Sequence, residues 1–257
     1  HRLPPETKQA IIKLAGQKIE NARVQAAKDI EYEIQSEARR QELEKLGKTR
    51  ALPENIRIFQ GDFCEVLRRE VPDGTAALIF TDPPYTRKFL DAGGWDKLAV
   101  EAERILIPGG YLATYAPQYC YSQVFHALEA RLEHYHPAGI LHAGHQTLMW
   151  SKDMKICWKP IQIFSKGRGR KHLQMFDFLQ GEVGDKGLYE WAQSVSEARY
   201  FIEKLTKRGE LVVEPFLGSG TTLRAVHELH RRGVGVELDA KRCKLAKGFV
   251  LDDTELD

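Results

Sequence analysis

The sequence lacks an apolar run long enough to cross a membrane, since its uninterrupted apolar stretches fall well short of the roughly 18 to 20 residues that a spanning helix needs. Its first residues, HRLPPETKQ, are polar and do not resemble a secretory signal. The 257 residues are 42% hydrophobic and 29% charged, and the mean hydropathy is -0.42. These values predict a globular protein of the cytoplasm that is neither secreted nor bound to a membrane.

Cysteine is scarce, and its four residues are widely separated along the chain: Cys64, Cys120, Cys157 and Cys243. They form neither the C-x-x-C pair of a zinc site nor the dense spacing of a disulfide framework. The histidines, including His142 and His145, complete no cysteine or acid pattern typical of metal ligands. The sequence therefore predicts reduced thiols in a cytosol and no metal site.

Positive charge is concentrated in one segment. The net charge is +2, but residues 151–172 contain seven Lys or Arg and one acid, so they carry +6 while the rest of the chain carries -4. The seven are Lys152, Lys155, Lys159, Lys166, Arg168, Arg170 and Lys171, with Trp158 and Phe164 between them. Such a strip can bind a polyphosphate backbone, and the alternative is a solvated surface loop.

The pattern changes near residue 50. Residues 6–46 contain no Pro and one Gly, and their apolar residues recur at helical spacing, which predicts one long helix or two. Gly47 and Pro53 are typical stop signals for this pattern. Because the apolar side chains of residues 1–50 need a partner, we expect this segment to pack on the main domain, to dimerise, or to contact DNA.

Residues 51–257 alternate short apolar runs with amphipathic segments. The runs at 56–59, 76–80, 110–116, 160–164, 211–216 and 234–238 are typical of strands. The alternation predicts an α/β domain with a mostly parallel sheet flanked by helices. Ligands of such sheets bind beyond the carboxyl ends of the strands, so the residues after each run are the candidate site.

Two of these strand ends are typical of a nucleoside site. Gly218 and Gly220 allow a tight turn and a close approach of a ligand to backbone N–H groups at a helix start. Neither a complete dinucleotide fingerprint nor a phosphate loop is present, so the alternative is a simple strand-to-helix turn. Glu237 ends the next strand and can accept hydrogen bonds from two ribose hydroxyls; the alternative is an exposed surface acid.

The strand at 56–59 ends at an acid with two candidate roles. Asp62 can accept a hydrogen bond from a purine amino group, with Phe63 against the ring. With Glu65 three residues later it also forms a helix-capping box. The two roles are compatible, because one carboxylate has lone pairs for both.

The strand at 76–80 ends in Asp82-Pro83-Pro84-Tyr85. The two prolines remove two N–H donors, so carbonyl oxygens, a carboxylate and a flat ring form an acceptor-only pocket with a stacking face. Such a pocket suits a planar ring that carries an exocyclic amino group. The alternative is a rigid strand exit with a buried Tyr.

The motifs Asp-Pro-Pro-Tyr at 82–85 and Phe-x-Gly-x-Gly at 216–220 resemble those of S-adenosylmethionine-dependent DNA amino-methyltransferases. The resemblance covers about residues 55–250, and the motif order resembles the permuted β class. It implies a Rossmann-like methyltransferase fold with a mostly parallel sheet of the seven-stranded type, preceded by the N-terminal helical segment. The DNA-recognition region is expected within residues 140–190.

The resemblance also implies roles at matching positions. The methionine end of the cofactor is expected on Glu214, Phe216, Gly218, Ser219, Gly220, Thr221 and Thr222, and its nucleoside on Glu237, Leu238, Asp62 and Phe63. Residues 191–194, including Gln193 and Ser194, stand where the family completes the methionine pocket, without the usual Lys-Pro. The target base is expected on Asp82, Pro83, Pro84 and Tyr85.

The implied reaction is methyl transfer from S-adenosylmethionine to the 6-amino group of adenine in DNA, with S-adenosylhomocysteine as product, no metal, and the base flipped onto Tyr85. Asp before Pro-Pro-Tyr favours adenine within the family. The alternatives are the 4-amino group of cytosine, adenine in RNA, a protein glutamine amide, and a catalytically silent DNA-binding subunit. A homodimer and a restriction-modification or other DNA-processing system are the expected partners besides DNA.

Overall fold

The computed structural model describes residues 5–141, 147–181 and 193–252. Their strands are β1 Ile56–Gln60, β2 Ala76–Thr81, β3 Leu106–Tyr115, β4 Glu133–Leu141, β5 Thr147–Met149, β6 Met154–Ile156, β7 Trp158–Ser165, β8 Phe178–Gln180, β9 Leu211–Glu214 and β10 Arg232–Glu237. Eight of them form one sheet in the order β1-β10-β9-β2-β3-β7-β4-β8, and β5 pairs with β6 in a separate hairpin. The first five strands of that order are parallel. The fold is therefore the expected α/β type.

Helices cover both faces of this sheet. They are α1 Pro5–Thr49, α2 Phe63–Glu70, α3 Arg87–Asp91, α4 Gly94–Ile105, α5 Tyr121–Glu129, α6 Val195–Leu205, α7 Thr221–Glu228 and α8 Ala240–Val250. One core, which includes Leu67, Leu98 and Val124, lies between the sheet and α2, α4 and α5. The other core lies between the sheet and α6, α7 and α8. Because both faces are covered, all six residues of β2 are buried, as is typical of a central parallel strand.

The six predicted strands all occur, with changes at their ends. Strand β3 begins four residues before its predicted start, and β9 ends at Glu214, before Pro215. The sequence patterns missed β4, whose first five residues are exposed, and the three-residue strands β5, β6 and β8. Since β8 adds to the outer edge of β4, the described sheet has eight strands where a seven-stranded type was expected.

Strand β7 runs against its neighbours β3 and β4. Tyr115, at the end of β3, faces Ile161 near the start of β7, and Tyr111 faces Ser165 at the end of β7. We call the side where the parallel strands end the carboxyl edge. Strand β7 therefore begins at the carboxyl edge and ends at the opposite one.

Helix α1 is one continuous helix of 45 residues, about 67 Å long. Only its last third packs on the domain, where Leu43 contacts Leu245 and Phe249 of α8. The two helices approach closely there, since a Cβ added at Gly248 would lie 1.9 Å from the Leu43 carbonyl oxygen. The side chains of residues 13–35 are exposed.

The direction of α1 follows from its contacts with α8. Arg39 pairs with Asp252 at the end of α8, and Gly47 lies against Lys244 nearer its start, so the helices are antiparallel. Helix α8 leaves the carboxyl edge after β10, so the free part of α1 extends past the opposite edge. Over the described residues, no helix is both long and apolar enough to cross a membrane.

Candidate active site

Four strand ends that the sequence singled out lie side by side. In the sheet, β1, β10, β9 and β2 are consecutive neighbours. Gln60 pairs with Glu237, Gly235 pairs with Glu214, and Ile79 pairs with Val213. At about 4.8 Å per strand, the four ends span roughly 15 Å. The structure therefore brings together the segments that follow residues 60, 81, 214 and 237.

The glycine loop joins β9 to α7 with two left-handed residues, Gly218 (φ 56°) and Gly220 (φ 95°). The two glycines face different surroundings. A Cβ at Gly220 would lie 3.0 Å from the Ala246 carbonyl oxygen of α8, whereas at Gly218 the nearest atom is the Phe216 carbonyl oxygen at 4.0 Å. Gly220 is thus required for packing, and Gly218 leaves one face of the loop open.

Glu237 is tied to this loop. Its Oε2 accepts a hydrogen bond from the Gly218 N–H at 2.9 Å, and its Oε1 accepts one from the Asp239 N–H at 3.0 Å. The residue is 8% exposed, so it is not a surface acid. Each carboxylate oxygen retains acceptor capacity beyond these single bonds. The next residue, Leu238, is 73% exposed.

Asp62 caps helix α2, as the capping box predicted. Its Oδ1 accepts hydrogen bonds from the backbone N–H groups of Cys64 (2.9 Å) and Glu65 (3.3 Å). Phe63 follows it and packs against Phe216 of the glycine loop, with ring centroids 4.8 Å apart. Phe63, which follows β1, and Phe216, which follows β9, are thus in contact with each other at the predicted site.

The segment 82–85 has one carboxylate oxygen left without a partner. Asp82 Oδ2 accepts a hydrogen bond from Gln193 Nε2 at 2.7 Å. Asp82 Oδ1 is buried and has no hydrogen-bond partner within the described parts of the chain. Tyr85 is 44% exposed, so this segment does not bury its Tyr as a simple strand exit would. A buried acceptor without a donor is costly, which marks Oδ1 as the point where a ligand donor fits.

Burial raises the pKa of Asp82 above its ordinary value, while the nearby Tyr85 hydroxyl, the hydrogen bond from Gln193 and the charge of Lys159 act in the opposite direction. Loss of solvent therefore favours the protonated form of Asp82, and the donors around it favour the carboxylate. Its ability to accept a hydrogen bond depends on those donors.

Glu214 is buried below the glycine loop. Its carboxylate accepts hydrogen bonds from Thr81 Oγ1 (2.5 Å), Thr222 Oγ1 (2.9 Å) and the Phe216 N–H (3.0 Å). Burial is the main cause that raises its pKa to about 8. Glu214 thus connects β2 with both ends of the loop. Beside it, the buried hydroxyls of Ser219 and Thr221 lie 3.1 Å apart.

The segment expected to complete the methionine pocket lies only partly within the described residues, because Trp191 and Ala192 fall outside them. Ser194 caps helix α6 by accepting a hydrogen bond from the Ser196 N–H at 3.2 Å. Gln193 contacts Asp82, on the target-base side of the site. The structure therefore gives Gln193 a contact different from the one expected.

The basic strip is not continuous in the structure. Lys152 and Lys155 are exposed on the β5–β6 hairpin, which lies between the end of β4 and the start of β7 at the carboxyl edge. Lys166, Arg168, Arg170 and Lys171 follow the end of β7 at the opposite edge. The eight residues of β7 separate the two groups by about 27 Å. A sequence cluster was divided because an antiparallel strand crosses the sheet within it.

Three members of the strip also have protein partners. Arg170 binds Glu210 through two contacts of 2.6 Å, and Lys166 Nζ donates to the Leu106 carbonyl at 2.9 Å. Lys159 Nζ lies within 2.9 Å of both carboxylate oxygens of Glu197. Of the seven side chains predicted to bind phosphate, the two hairpin lysines alone are exposed cations at the carboxyl edge.

Sequence reasoning missed two further features near the site. Glu197 is buried and also accepts a hydrogen bond from Tyr115 at 2.7 Å. Trp150 begins the tip of the hairpin and is 86% exposed. A charged residue on the buried face of α6 was the available signal for Glu197. Of Phe164 and Trp158 in the strip, the first is in the core and the second is 38% exposed.

The four cysteines are free thiols. Within the described ranges, no group of three or more His, Cys, Asp or Glu could hold a metal ion. His142 and His145 lie outside those ranges.

Sequence comparisons agree with this geometry. Residues 142–248 match the N6/N4 methyltransferase family, described as DNA methylase. The chain is 23% identical over 245 residues to the Type II methyltransferase M2.LlaDCHI of Lactococcus lactis subsp. cremoris, which covers 76% of this chain and 88% of that protein. It is 31% identical over 80 residues to the Type II methyltransferase M2.DpnII of Streptococcus pneumoniae, which covers 29% of this chain and 30% of that protein.

Solved structures share the fold. The PvuII DNA methyltransferase, described as cytosine-N4-specific, has a TM-score of 0.64 at 18% identity and covers 79% of this chain and 88% of its own. The M1.HpyAVI complex with S-adenosylmethionine has a TM-score of 0.62 at 18% identity and covers 77% of this chain and 99% of its own. TTHA0409 of Thermus thermophilus, also in complex with S-adenosylmethionine, has a TM-score of 0.60 at 20% identity and covers 75% and 93%.

The sheet order and the architecture shared with these structures define the methyltransferase fold. The family match and the sequence relatives give the more particular class. Over residues 142–248 the chain is thus similar to the N6/N4 family of DNA methylases.

Proposed function

We propose that this enzyme methylates the 6-amino group of adenine in duplex DNA, with Asp82, Pro83, Pro84 and Tyr85 holding the target base. The observation that carries the proposal is the buried, unpartnered Oδ1 of Asp82 beside the half-exposed Tyr85 ring. An exocyclic amino group has two hydrogens that need two acceptors, and the Asp82 carboxylate with the Pro83 carbonyl supplies both. The Tyr85 ring supplies the stacking face.

S-adenosylmethionine fits the neighbouring loop. The open face at Gly218 admits a ligand close to the backbone, since the nearest atom to a Cβ there is 4.0 Å away. Glu237 has acceptor capacity left for ribose hydroxyls, and Phe63 with Asp62 offers a ring and a carboxylate to an adenine. Phe216, Gly218, Ser219, Gly220, Thr221 and Thr222 would hold the methionine end. Glu214 acts below them by fixing the loop.

The chain's own residues lower the barrier by positioning and by hydrogen bonding. The lone pair of an adenine amino group is delocalised into the ring, which makes it a poor nucleophile. Acceptors at Asp82 and Pro83 favour the pyramidal form whose lone pair is available in the transition state. The cofactor supplies a methyl group activated by a sulfonium charge, so alignment of the two reactants contributes most of the remaining acceleration, roughly 7 kcal/mol or more.

DNA would approach the carboxyl edge. The β5–β6 hairpin presents Trp150, Lys152 and Lys155 there as an exposed ring and two exposed cations. Because the base must leave the duplex to reach Asp82, at a cost of about a few kcal/mol, a ring and cations beside the pocket can stabilise the opened duplex. This hairpin replaces the continuous strip as the proposed DNA contact within the candidate recognition region 140–190.

Cytosine is the second candidate base. Its 4-amino group needs the same two acceptors, and one structural relative is described as cytosine-N4-specific. Asp at the first position of the Asp-Pro-Pro-Tyr segment favours adenine through the family resemblance. We therefore keep adenine as the proposed substrate. The names of the Type II methyltransferase relatives support a restriction-modification context.

We also propose that α1 pairs with a second copy of the chain. Residues 8–28 contain five basic residues and one acid, whereas residues 29–44 contain six acids and two basic residues. An antiparallel pair would set each basic half against the acidic half of the partner, and would cover Ile19 and Ile30, which are 57% and 59% exposed. The free part of α1 points away from the carboxyl edge, which favours pairing over contact with DNA.

The pairing has a direct test. Lys13→Glu with Lys18→Glu, and separately Asp29→Lys with Glu33→Lys, should each give monomers in light scattering. A mixture of the two variants should restore a dimer. A wild-type monomer, or a dimer unchanged by both variants, contradicts the pairing.

The enzymatic proposal is tested by incubating the protein with S-adenosylmethionine and unmethylated duplex DNA, with RNA in parallel, and identifying methylated nucleosides by mass spectrometry. 6-Methyladenine in DNA that disappears in Asp82→Ala is the expected result. 4-Methylcytosine or methylated RNA would replace the proposed substrate. Cofactor binding without any product would favour a silent DNA-binding subunit.

A further inference from the structure

A buried ion pair lies behind the target-base pocket. Lys159 of β7 contacts both carboxylate oxygens of Glu197 of α6, at 2.7 and 2.9 Å, and their side chains are 20% and 3% exposed. The Tyr115 hydroxyl of β3 donates to the same carboxylate at 2.7 Å. Lys159 and Tyr115 thus bring β7 and β3 to the buried carboxylate of Glu197 on α6, while Lys159 itself is partly exposed.

Gln193 connects this pair to Asp82. Lys159 Nζ donates to Gln193 Oε1 at 2.7 Å, and Gln193 Nε2 donates to Asp82 Oδ2 at 2.7 Å. An ammonium group can only donate, so the amide oxygen of Gln193 must face Lys159. The amide nitrogen must then face Asp82, which fixes the orientation of the amide without reference to the carboxylate.

The consequence concerns the other oxygen of Asp82. With Oδ2 occupied by Gln193, Oδ1 is the acceptor that stays open, and it is buried without a partner in the described structure. We propose that Lys159 and Glu197 are positioning residues that act through Gln193, holding Asp82 with one oxygen bound and the other directed to the amino group of the target base. This inference rests on the proposed function of Asp82.

The charges of the pair act on Asp82 in opposite directions. Lys159 lowers the pKa of Asp82 and Glu197 raises it, on top of the larger effect of burial, which raises it. The other groups that face Asp82 are Tyr85 of its own segment, Tyr115 of β3 and Glu214 of β9. Protonation turns one oxygen of Asp82 into a donor and weakens the other as an acceptor, so methyl transfer is expected to fall as the pH drops through its pKa.

Because Lys159 and Glu197 shift the pKa of Asp82 in opposite directions, the direction of the shift in each variant tests the proposal. Glu197→Gln removes the negative charge and leaves Lys159, so the acidic limb of the kcat profile should move to lower pH by about one unit. Adding Lys159→Met to Glu197→Gln should move the limb back up. Gln193→Ala should lower kcat at least about tenfold with the cofactor Kd unchanged. If Lys159 and Glu197 served only in packing, the acidic limb would not move down in Glu197→Gln and back up in the double variant.

A matched control exists on the opposite edge. Arg170, which follows the far end of β7, and Glu210, which directly precedes β9, form an ion pair whose side chains are 20% and 25% exposed. Glu210→Gln and its double variant with Arg170→Met should leave the limb where it is in the wild type. A limb that moves in these controls as well, or that stays fixed in the Glu197 variants, overturns the proposal.

A second readout separates this inference from the proposed reaction. The carboxyl carbon-13 resonance of Asp82, assigned with Asp82→Asn, reports its titration without any turnover. The pKa of Asp82 measured from this resonance should shift in the same directions as the acidic limb of the kcat profile. If they do and no methylated base is found, the network stands and the reaction fails; if methylation occurs and neither readout moves, the network fails alone.

Discussion

The backbone N–H of Gly218 donates to the carboxylate of Glu237 at 2.9 Å, which fastens the loop after β9 to the end of the adjacent strand β10. Two strand ends thereby form one continuous surface. In the proposed binding mode, a cofactor whose methionine end contacts the loop would reach the Glu237 carboxylate with its ribose, because this hydrogen bond fixes the separation of the two.

The two glycines of the loop should respond differently to alanine. Gly220→Ala places a methyl 3.0 Å from the Ala246 carbonyl oxygen at a left-handed φ, so we expect a loss of stability of about 3 kcal/mol, which exceeds the roughly 1 to 2 kcal/mol of the conformation alone. Gly218→Ala should cost only about 1 kcal/mol of stability but weaken cofactor binding at least about tenfold, because its methyl enters the open face. Thermal denaturation and calorimetry measure both, and equal effects of the two variants would contradict the assignment.

Asp82→Asn should be no more active than Asp82→Ala. Gln193 must donate to this side chain, so the asparagine oxygen will face Gln193 and its NH2 group will face the target amino group. Donor then meets donor, and we expect kcat to fall at least about 100-fold, with the cofactor Kd within about twofold of wild type. Single-turnover kinetics measure the loss. Retained activity in Asp82→Asn would show that Oδ1 is not the acceptor that matters.

Glu214 should make stability depend on pH. Burial raises its pKa from 4.5 to about 8, so the folded protein binds a proton that the unfolded chain has released over that range. The free energy of unfolding should therefore decrease as the pH rises from about 5 to 8, by about a few kcal/mol. Urea denaturation at several pH values should show this slope in the wild type and lack it in Glu214→Gln. An identical slope in both proteins would assign it to other groups.

The hairpin should affect DNA binding and leave cofactor binding intact. Trp150→Ala is expected to weaken DNA affinity by about 1 to 3 kcal/mol, as loss of a ring stacked on a base does. Lys152→Gln with Lys155→Gln should make the slope of log binding constant against log salt concentration shallower by about two, because two phosphate contacts are lost. Phe176→Ala is the control, because Phe176 is 78% exposed but lies outside the hairpin. An equal loss in that control would remove the hairpin from the interface.

The strands of the sheet and the residues at their ends could be predicted because both depend on local pattern. Fully buried parallel strands are continuous apolar runs, as in β2, and turn residues such as Gly218 and Pro83 mark where they stop. Strand β4 was missed because its first five residues are exposed, so no apolar run announces it. Its position beside β7 depends on hydrogen bonding between the two strands, which the local sequence pattern does not predict.

The sequence by itself determined the segments of the site, since the order of motifs and strand ends requires only that parallel strands share one edge. The tertiary structure alone decided which charges belong to that site. Lys159 and Arg170 are close in sequence, yet β7 carries the first to a buried partner behind Asp82 and the second to Glu210 at the opposite edge. Local pattern fixes the residue types and their order, whereas charge pairing depends on which distant elements the sheet places side by side.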